Sequence, residues 1–310
     1  MKIYVLSHTD PDGYFSGALV EYFYKLQDPN IEVIHKSWTY GRNEPSIKNF
    51  SKKYDKVYIV DVLPSNDFMD ALIEEMGVSN VILCDHHVKK DEDYLNTRKD
   101  LNVLGIRNKE KDAAVIAVWK YFNVDEPVPK WIKLISDYDT WNTSVDYWND
   151  EVIPYSFYIR NNINSVKDAY NYILSICDSL VIYKNHIRIG KTIQTWWDDL
   201  YKKEVAHGFE KCLKCKNIKT NEEHIIKVWV VNTQNRGSYM FNHLSTGNIY
   251  DAFITYNFNG TLYKYSMYTF KDDIPCNNLY IILNDNIYIE FNGHPDAAGA
   301  SSEYNMFNYE

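Results

Sequence analysis

Three short apolar runs, KIYVLSH, KVYIVDV and NVILCDHH, each end on acids or imidazoles. Stretches with helical spacing separate them. A run as evenly apolar as KVYIVDV suits a strand buried on both faces. NIEVIHKSW reads as a further strand. Between the strands, SGALVEYFYKLQ carries Leu19, Tyr22, Phe23 and Leu26 on one stripe. NDFMDALIEEMG reads as a helix with Asn66 or Ser65 as its N-cap and Gly77 beyond its C-terminus. DAAVIAVWKYF and PVPKWIKLISDYDTW read as two more. Strands alternating with helices predict an α/β domain, a parallel sheet with helices on both faces. His8, Asp10 and Asp12 follow the first strand, Asp61 ends the KVYIVD run, and Asp85, His86 and His87 end the VILCDHH run. In open parallel sheets a site lies outside those carboxyl ends.

The 310 residues suit two domains of ordinary size. The α/β pattern occupies residues 1–150. Residues 151–208 read as a helical linker, formed by one long amphipathic helix or by two. Residues 209–310 read as a smaller C-terminal α/β domain. Its β character is clearest in IIKVWVVN, DAFITYNF, TLYKYSMYTF and NIYIEF. The closing FNGHPDAAGA reads as a tight turn into a short helix.

The formal net charge of −9 argues against a chain that grips long duplex nucleic acid, because that affinity comes mostly from Lys and Arg. Acids clustered around divalent cations would not repel a phosphate as the bare count suggests. Five cysteines form no disulfide framework. No signal peptide is visible, and no apolar run approaches the ~18 residues of a membrane span. The expected setting is reduced and cytoplasmic. CLKC, at Cys212 and Cys215, reads as two unpaired thiols rather than a zinc site. Trp196 and Trp197 read as core or interface aromatics, whereas Trp141 is open to either core packing or base stacking.

The chemistry-bearing inventory is His8, Asp10, Asp12, Asp61, His86 and Asp137. Mixed imidazole and carboxylate ligands suit Mn²⁺ and related divalent ions. The set exceeds what one ion needs, and two ions about 3.5–4 Å apart would use it, with Asp61 as the bridging acid. Such a pair clamps a phosphate oxygen and activates water at neutral pH. His87 is a candidate proton donor to the leaving group, and Asp85 a partner that orients a neighbouring imidazole.

These residues resemble the DHH phosphoesterase superfamily, named for its Asp-His-His signature. SHTDPDGYFSG, VYIVDVLPSN, VILCDHHVKK and ISDYDTW are similar to its four motifs, in order. KDAAVIAVWKYF resembles the small-residue helix start between the third and fourth. FNGHPDAAGA resembles the closing signature of the associated DHHA1 domain, and VIYKNHIRIGKTI the connecting helix. The wording is most similar to the bacterial nano-RNases of the oligoribonuclease B type. The resemblance implies two Mn²⁺ (or Mg²⁺, or another divalent ion) held by the six residues named above. It implies His87 as the second signature histidine, and Gly293 and His294 as phosphate contacts. The glycine run is reduced, with Phe291 and Asn292 before Gly293, and Tyr268 stands where family members often carry an arginine. Arg236 is an alternative cation near the substrate-facing loop.

The expected activity is exonucleolytic hydrolysis of short oligonucleotides. Hydrolysis of a cyclic dinucleotide or of 3′-phosphoadenosine 5′-phosphate is an alternative. A RecJ-like single-strand DNA exonuclease would need a basic channel, and a non-catalytic nucleotide binder would have lost ligands that are present here. The expected partner is a short oligonucleotide or small nucleotide, without membrane or long duplex, and oligomeric state is left open.

Overall fold

The structure is a computed structural model. It describes residues 1–87, 102–103, 112–123, 125–176, 180–234, 237–245, 249–271, 274–284, 287–293 and 296–308. The chain divides into two compact units, Met1–Gln194 and Thr195–Glu310. No helix among the described residues is long and apolar enough to cross a membrane.

In the first unit, strands β1 (Lys2–Ser7), β2 (Glu32–Ser37), β3 (Lys56–Val60), β4 (Val81–Cys84) and β5 (Asn102–Val103) form a parallel sheet. Their order is β2-β1-β3-β4-β5. Alternate residues face opposite sides of a strand. Tyr4, Leu6, Val57, Ile59, Val81 and Leu83 therefore share one face. They pack on Phe68, Met69 and Leu72 of helix α2 (Asn66–Met76). Tyr58, on the other face, meets helix α1 (Pro11–Gln27), where its hydroxyl lies 2.8 Å from that of Tyr24. Both faces are thus covered, which is why these strands lack polar alternation. Ser65 caps α2 by accepting from the Phe68 N–H at 3.3 Å, and Gly77 ends it at φ +78°.

Among the described residues, helices α3 (Ala114–Phe122), α4 (Lys130–Asp139), α5 (Ile153–Asn162) and α6 (Val166–Ile176) also belong to the first unit, and α7 (Leu180–Ala206) begins in it and ends in the second. The amphipathic stretch is therefore two helices. The strand order reverses between β1 and β3, so connections leave these neighbours in opposite directions. That opens a crevice at their carboxyl ends.

The second unit holds a mixed sheet of β6 (Phe209–Asn217), β7 (Glu223–Asn232), β8 (Ala252–Phe258), β9 (Tyr263–Tyr268), β10 (Leu279–Asn284), β11 (Ile287–Glu290), β12 (Asn292–Gly293) and β13 (Ala297–Ser302). The order is β11-β10-β6-β7-β8-β9-β13-β12, antiparallel except for the parallel β7–β8 pair. One expectation needs correction here. The closing AAGA segment is strand, not helix, because β13 pairs along the whole of β9. Strand β6 escapes a composition reading because Lys and Glu fill its outer face. Only Leu213 and Cys215 are buried on it. Cys212 and Cys215, three residues apart on a strand, fall on opposite faces: one is exposed, the other buried. Tyr268 sits in a core cluster with Phe241 and Phe253.

Candidate metal centre

β1 ends at Ser7 and the chain turns directly into α1. Asp10 is the N-cap: its Oδ1 accepts from the Gly13 N–H at 3.0 Å, and its Oδ2 lies 2.6 Å from His8 Nδ1. Pro11 occupies the first turn, where a missing N–H costs nothing. The loop is so tight that a Cβ on Gly13 would stand 2.6 Å from the His8 carbonyl oxygen. Asp12 is buried. It accepts from the backbone N–H groups of Ala114 at 2.8 Å and Val115 at 2.9 Å, at the N-terminus of α3. A carboxylate there meets unpaired donors and the positive end of the helix dipole.

Asp61 follows β3 in the left-handed region, at φ +57°, and is 1% exposed. Asp adopts that conformation more readily than most residues. Its N–H donates to Cys84 O at 2.9 Å, tying the turn to β4. Asp85 follows β4. Its Oδ1 accepts from the His86 N–H at 2.9 Å and pairs with His87 Nδ1 at 2.7 Å. His86 Nε2 lies 3.2 Å from Asp61 Oδ1, 3.2 Å from Asp139 Oδ2 and 3.8 Å from Asp12 Oδ2. His8 Nδ1 lies 3.7 Å from Asp61 Oδ2.

Three linked groups result: His8 with Asp10 and Asp61; Asp61 with Asp85, His86 and His87; Asp12 with His86 and Asp139. Within each group the ligand atoms lie within 4.8 Å of one another. Asp61 and His86 each belong to two groups.

Burial and the concentration of charge shift several members. Burial and the charge of Asp139 push the Asp12 carboxyl up to about 7, against the pull of His86 and the Val115 N–H. Burial, then Asp12, Asp10, Asp139 and Asp85, hold Asp61 well above the usual carboxylate range. Burial pulls His86 down, but Asp139 and Asp12 outweigh it and raise the imidazole to about 9. Burial opposes ionisation of Asp10, yet His8 and the Gly13 N–H lower it to about 2.

The donor set fits divalent cations. Asp61 Oδ2 and Asp85 Oδ2 are buried without a hydrogen-bond partner. Buried polar atoms are rarely left so. Oxygen and imidazole donors suit Mn²⁺ or Mg²⁺ more than structural zinc. Burial pushes the nearby Cys84 thiol up to about 12, which keeps it from acting as a thiolate.

Seven of the residues singled out in the sequence meet here: His8, Asp10, Asp12, Asp61, Asp85, His86 and His87. Asp137 stands elsewhere. Its carboxylate accepts from Asn142 Nδ2 at 2.9 Å and Tyr147 OH at 2.8 Å. The acid of α4 that joins the cluster is Asp139. Two residues apart on a helix lie about 200° apart around its axis, so the acids of DYD diverge. That angle was readable from the sequence, but not which of the two faces the cluster. Gly293 lies in β12 of the second unit, at φ +151°, where a Cβ would come 2.7 Å from Ala297 O. His294 and Arg236 lie outside the described residues.

No family model matches the chain. Over 152 residues, 47% of this chain, it is 31% identical to an uncharacterised protein of Acanthamoeba polyphaga mimivirus. The match covers 34% of that protein, so the chain spans about a third of the length of this curated relative. Among solved structures, the fold is similar to a DHH domain from a member of the s1p family of ribosomal proteins. The TM-score is 0.62 at 15% identity, over 97% of this chain and 83% of that one. A manganese-bound exonuclease RecJ aligns with a TM-score of 0.48 at 13% identity, over 97% of this chain and 86% of that one.

Proposed function

We propose that this protein is a DHH-type, metal-dependent phosphoesterase that hydrolyses short oligonucleotides in the manner of a nano-RNase. One observation carries the reading: three linked donor groups at the carboxyl ends of β1, β3 and β4, sharing Asp61 and His86, with buried oxygens that lack partners. The likeness to a DHH domain in fold supports it. In this reading His8, Asp10, Asp12, Asp61, His86 and Asp139 hold two Mn²⁺, with Asp61 shared. Bound divalent cations would supply an activated water and charge neutralisation at the phosphoryl oxygens.

The chain's own groups do the rest. Asp85 holds His87 through Nδ1, which leaves Nε2 to carry a proton to the leaving oxygen. The backbone N–H groups of Ala114 and Val115 fix the Asp12 carboxylate. Asp10 fixes the His8 ring. The reading keeps metal chemistry in residues 1–150, a helical connection over 151–208, and DHHA1-like substrate contacts in 209–310. Those contacts include Gly293 and His294, with Arg236 as an alternative cation. Net acidity favours a short substrate held at few phosphates over a long polyanion.

The test is a substrate panel with Mn²⁺: an RNA dinucleotide, a longer RNA, single-stranded DNA, cyclic di-AMP and 3′-phosphoadenosine 5′-phosphate. The highest kcat/KM on the dinucleotide, abolished in Asp61→Ala, is expected. Preference for one of the last two substrates would move the assignment to that class. Full activity in Asp61→Ala, or none on any substrate, would overturn it.

A further inference from the structure

A cavity of about 310 Å³ opens beside the acid cluster, wholly within the first unit. Asp10, Asp12 and Asp139 form one wall, so it is continuous with the candidate metal centre. The rest of the lining is largely apolar and aromatic, from α4, the turn after it and α5. It includes Tyr138, Trp141 and buried Ile159, with Arg160 at the margin. Its volume stands at the small end of the ~300–1,000 Å³ range of ligand pockets.

Three features of this lining select a ligand class. Trp141 is 40% exposed although it touches Trp148 and Tyr138, with ring centroids 5.2 and 5.7 Å apart. It sits at φ +52°, a conformation that bulky residues seldom adopt. The Thr143 N–H, bonded to Trp141 O at 2.8 Å, helps to hold that turn. Arg160 Nη1 donates to Tyr138 OH at 2.7 Å, and among the described residues Arg160 pairs with no carboxylate. A guanidinium with donors to spare beside ring faces matches an aromatic ring carried on a phosphate.

We propose that this cavity is a nucleoside pocket. It takes the base of the nucleotide whose phosphate lies at the acid cluster, with Trp141 as the stacking platform and Arg160 as a phosphate partner. The inference rests on the phosphoesterase reading and names its substrate class. The lining is mostly apolar and aromatic, so it would hold a base without strong preference among bases. It also assigns Trp141 a role in binding rather than core packing.

Calorimetry on the full chain with Mn²⁺ tests this, using 5′-AMP, ribose 5-phosphate and inorganic phosphate as probes. AMP is expected to bind about tenfold or more tightly than ribose 5-phosphate, the gain of one base–aromatic stack. Trp141→Ala should erase that difference, while Trp141→Phe, which keeps a ring, should retain most of it. Arg160→Ala should weaken AMP and ribose 5-phosphate alike. Equal binding of AMP and ribose 5-phosphate overturns the pocket, as does a preference unchanged by Trp141→Ala. Dinucleotide hydrolysis is scored separately. If the AMP preference depends on Trp141 but no substrate of the panel is cleaved, the phosphoesterase reading falls and the pocket stands.

Discussion

A Cβ on Gly13 would stand 2.6 Å from the carbonyl oxygen of His8 and 2.8 Å from its backbone nitrogen. His8 and its partner Asp10 therefore depend on a glycine that has no chemistry of its own. The obstacle is backbone on both sides, so neither part can yield without moving the His8 backbone. Gly13→Ala is expected to cost roughly 1–3 kcal/mol, the usual range for overpacking. It should also displace His8 and Asp10. Thermal unfolding and Mn²⁺ titration of this variant check both effects.

Asp137 and Asp139 separate two kinds of damage. Asp139→Ala removes a carboxylate 3.2 Å from His86 and should weaken Mn²⁺ binding with little loss of stability. Asp137→Ala instead leaves Asn142 and Tyr147 without their acceptor. That should cost roughly 1–3 kcal/mol of stability and leave metal affinity near that of the parent chain. Calorimetric Mn²⁺ affinity read beside a denaturation curve distinguishes them, and the reverse pattern would refute the placement of Asp139.

Asp85 acts on the site through His87, whose Nδ1 lies 2.7 Å from it. In the proposed role of His87 as proton carrier, Asp85→Ala is expected to lower activity about 10–100-fold, by analogy with loss of a carboxylate that orients a functional imidazole. An Asp85→Asn variant keeps an acceptor for Nδ1 and should recover part of the loss.

The metal-free protein should lose stability as pH rises. Asp12, at about 7, and Asp61, raised further than usual, favour folding when protonated. Their contribution is complete below their ordinary pKa of about 3.9 and is lost as pH passes through the raised values. His86 acts in the same direction: it stabilises when protonated, and that is lost as pH rises through about 9. Asp10, lowered to about 2, matters only in acid, where stability falls as pH approaches that value. Melting in EDTA should therefore show Tm falling from pH 6 to pH 8. Saturating Mn²⁺ should flatten the slope and raise Tm most at the higher pH, because cations bind the ionised cluster. A Tm in EDTA that rises over this interval would contradict the electrostatics.

Thiol labelling of the native chain should modify Cys212 and spare Cys215. Cys212 is exposed, whereas burial pushes the Cys215 thiol up to about 11. Peptide mapping by mass spectrometry reads the two sites separately, and equal labelling would place them on the same accessible face.

The parallel sheet and most of the site were legible in order along the chain. Strands buried on both faces have no polar alternation, and the acids and imidazoles at their carboxyl ends mark the crevice. Where the reading failed, the cause was non-local. The AAGA segment has small side chains that suit several conformations, and pairing with β9 decided on strand. Lysines on the outer face of β6 hid a strand whose buried residues are few.

Local order in the sequence determined which residue types arrive at the crevice: His8, Asp10 and Asp12 after one strand, Asp61 after another, Asp85, His86 and His87 after a third. Period-two burial and tight turns act over a few residues, so the sequence carries them. Only the tertiary structure decided that Asp139 and not Asp137 meets His86, and that α3 supplies two N–H groups to Asp12 across 102 and 103 positions. It also decided that Trp141 lines a cavity. Each of these depends on the angle at which a helix packs, which is set by contacts distant in sequence.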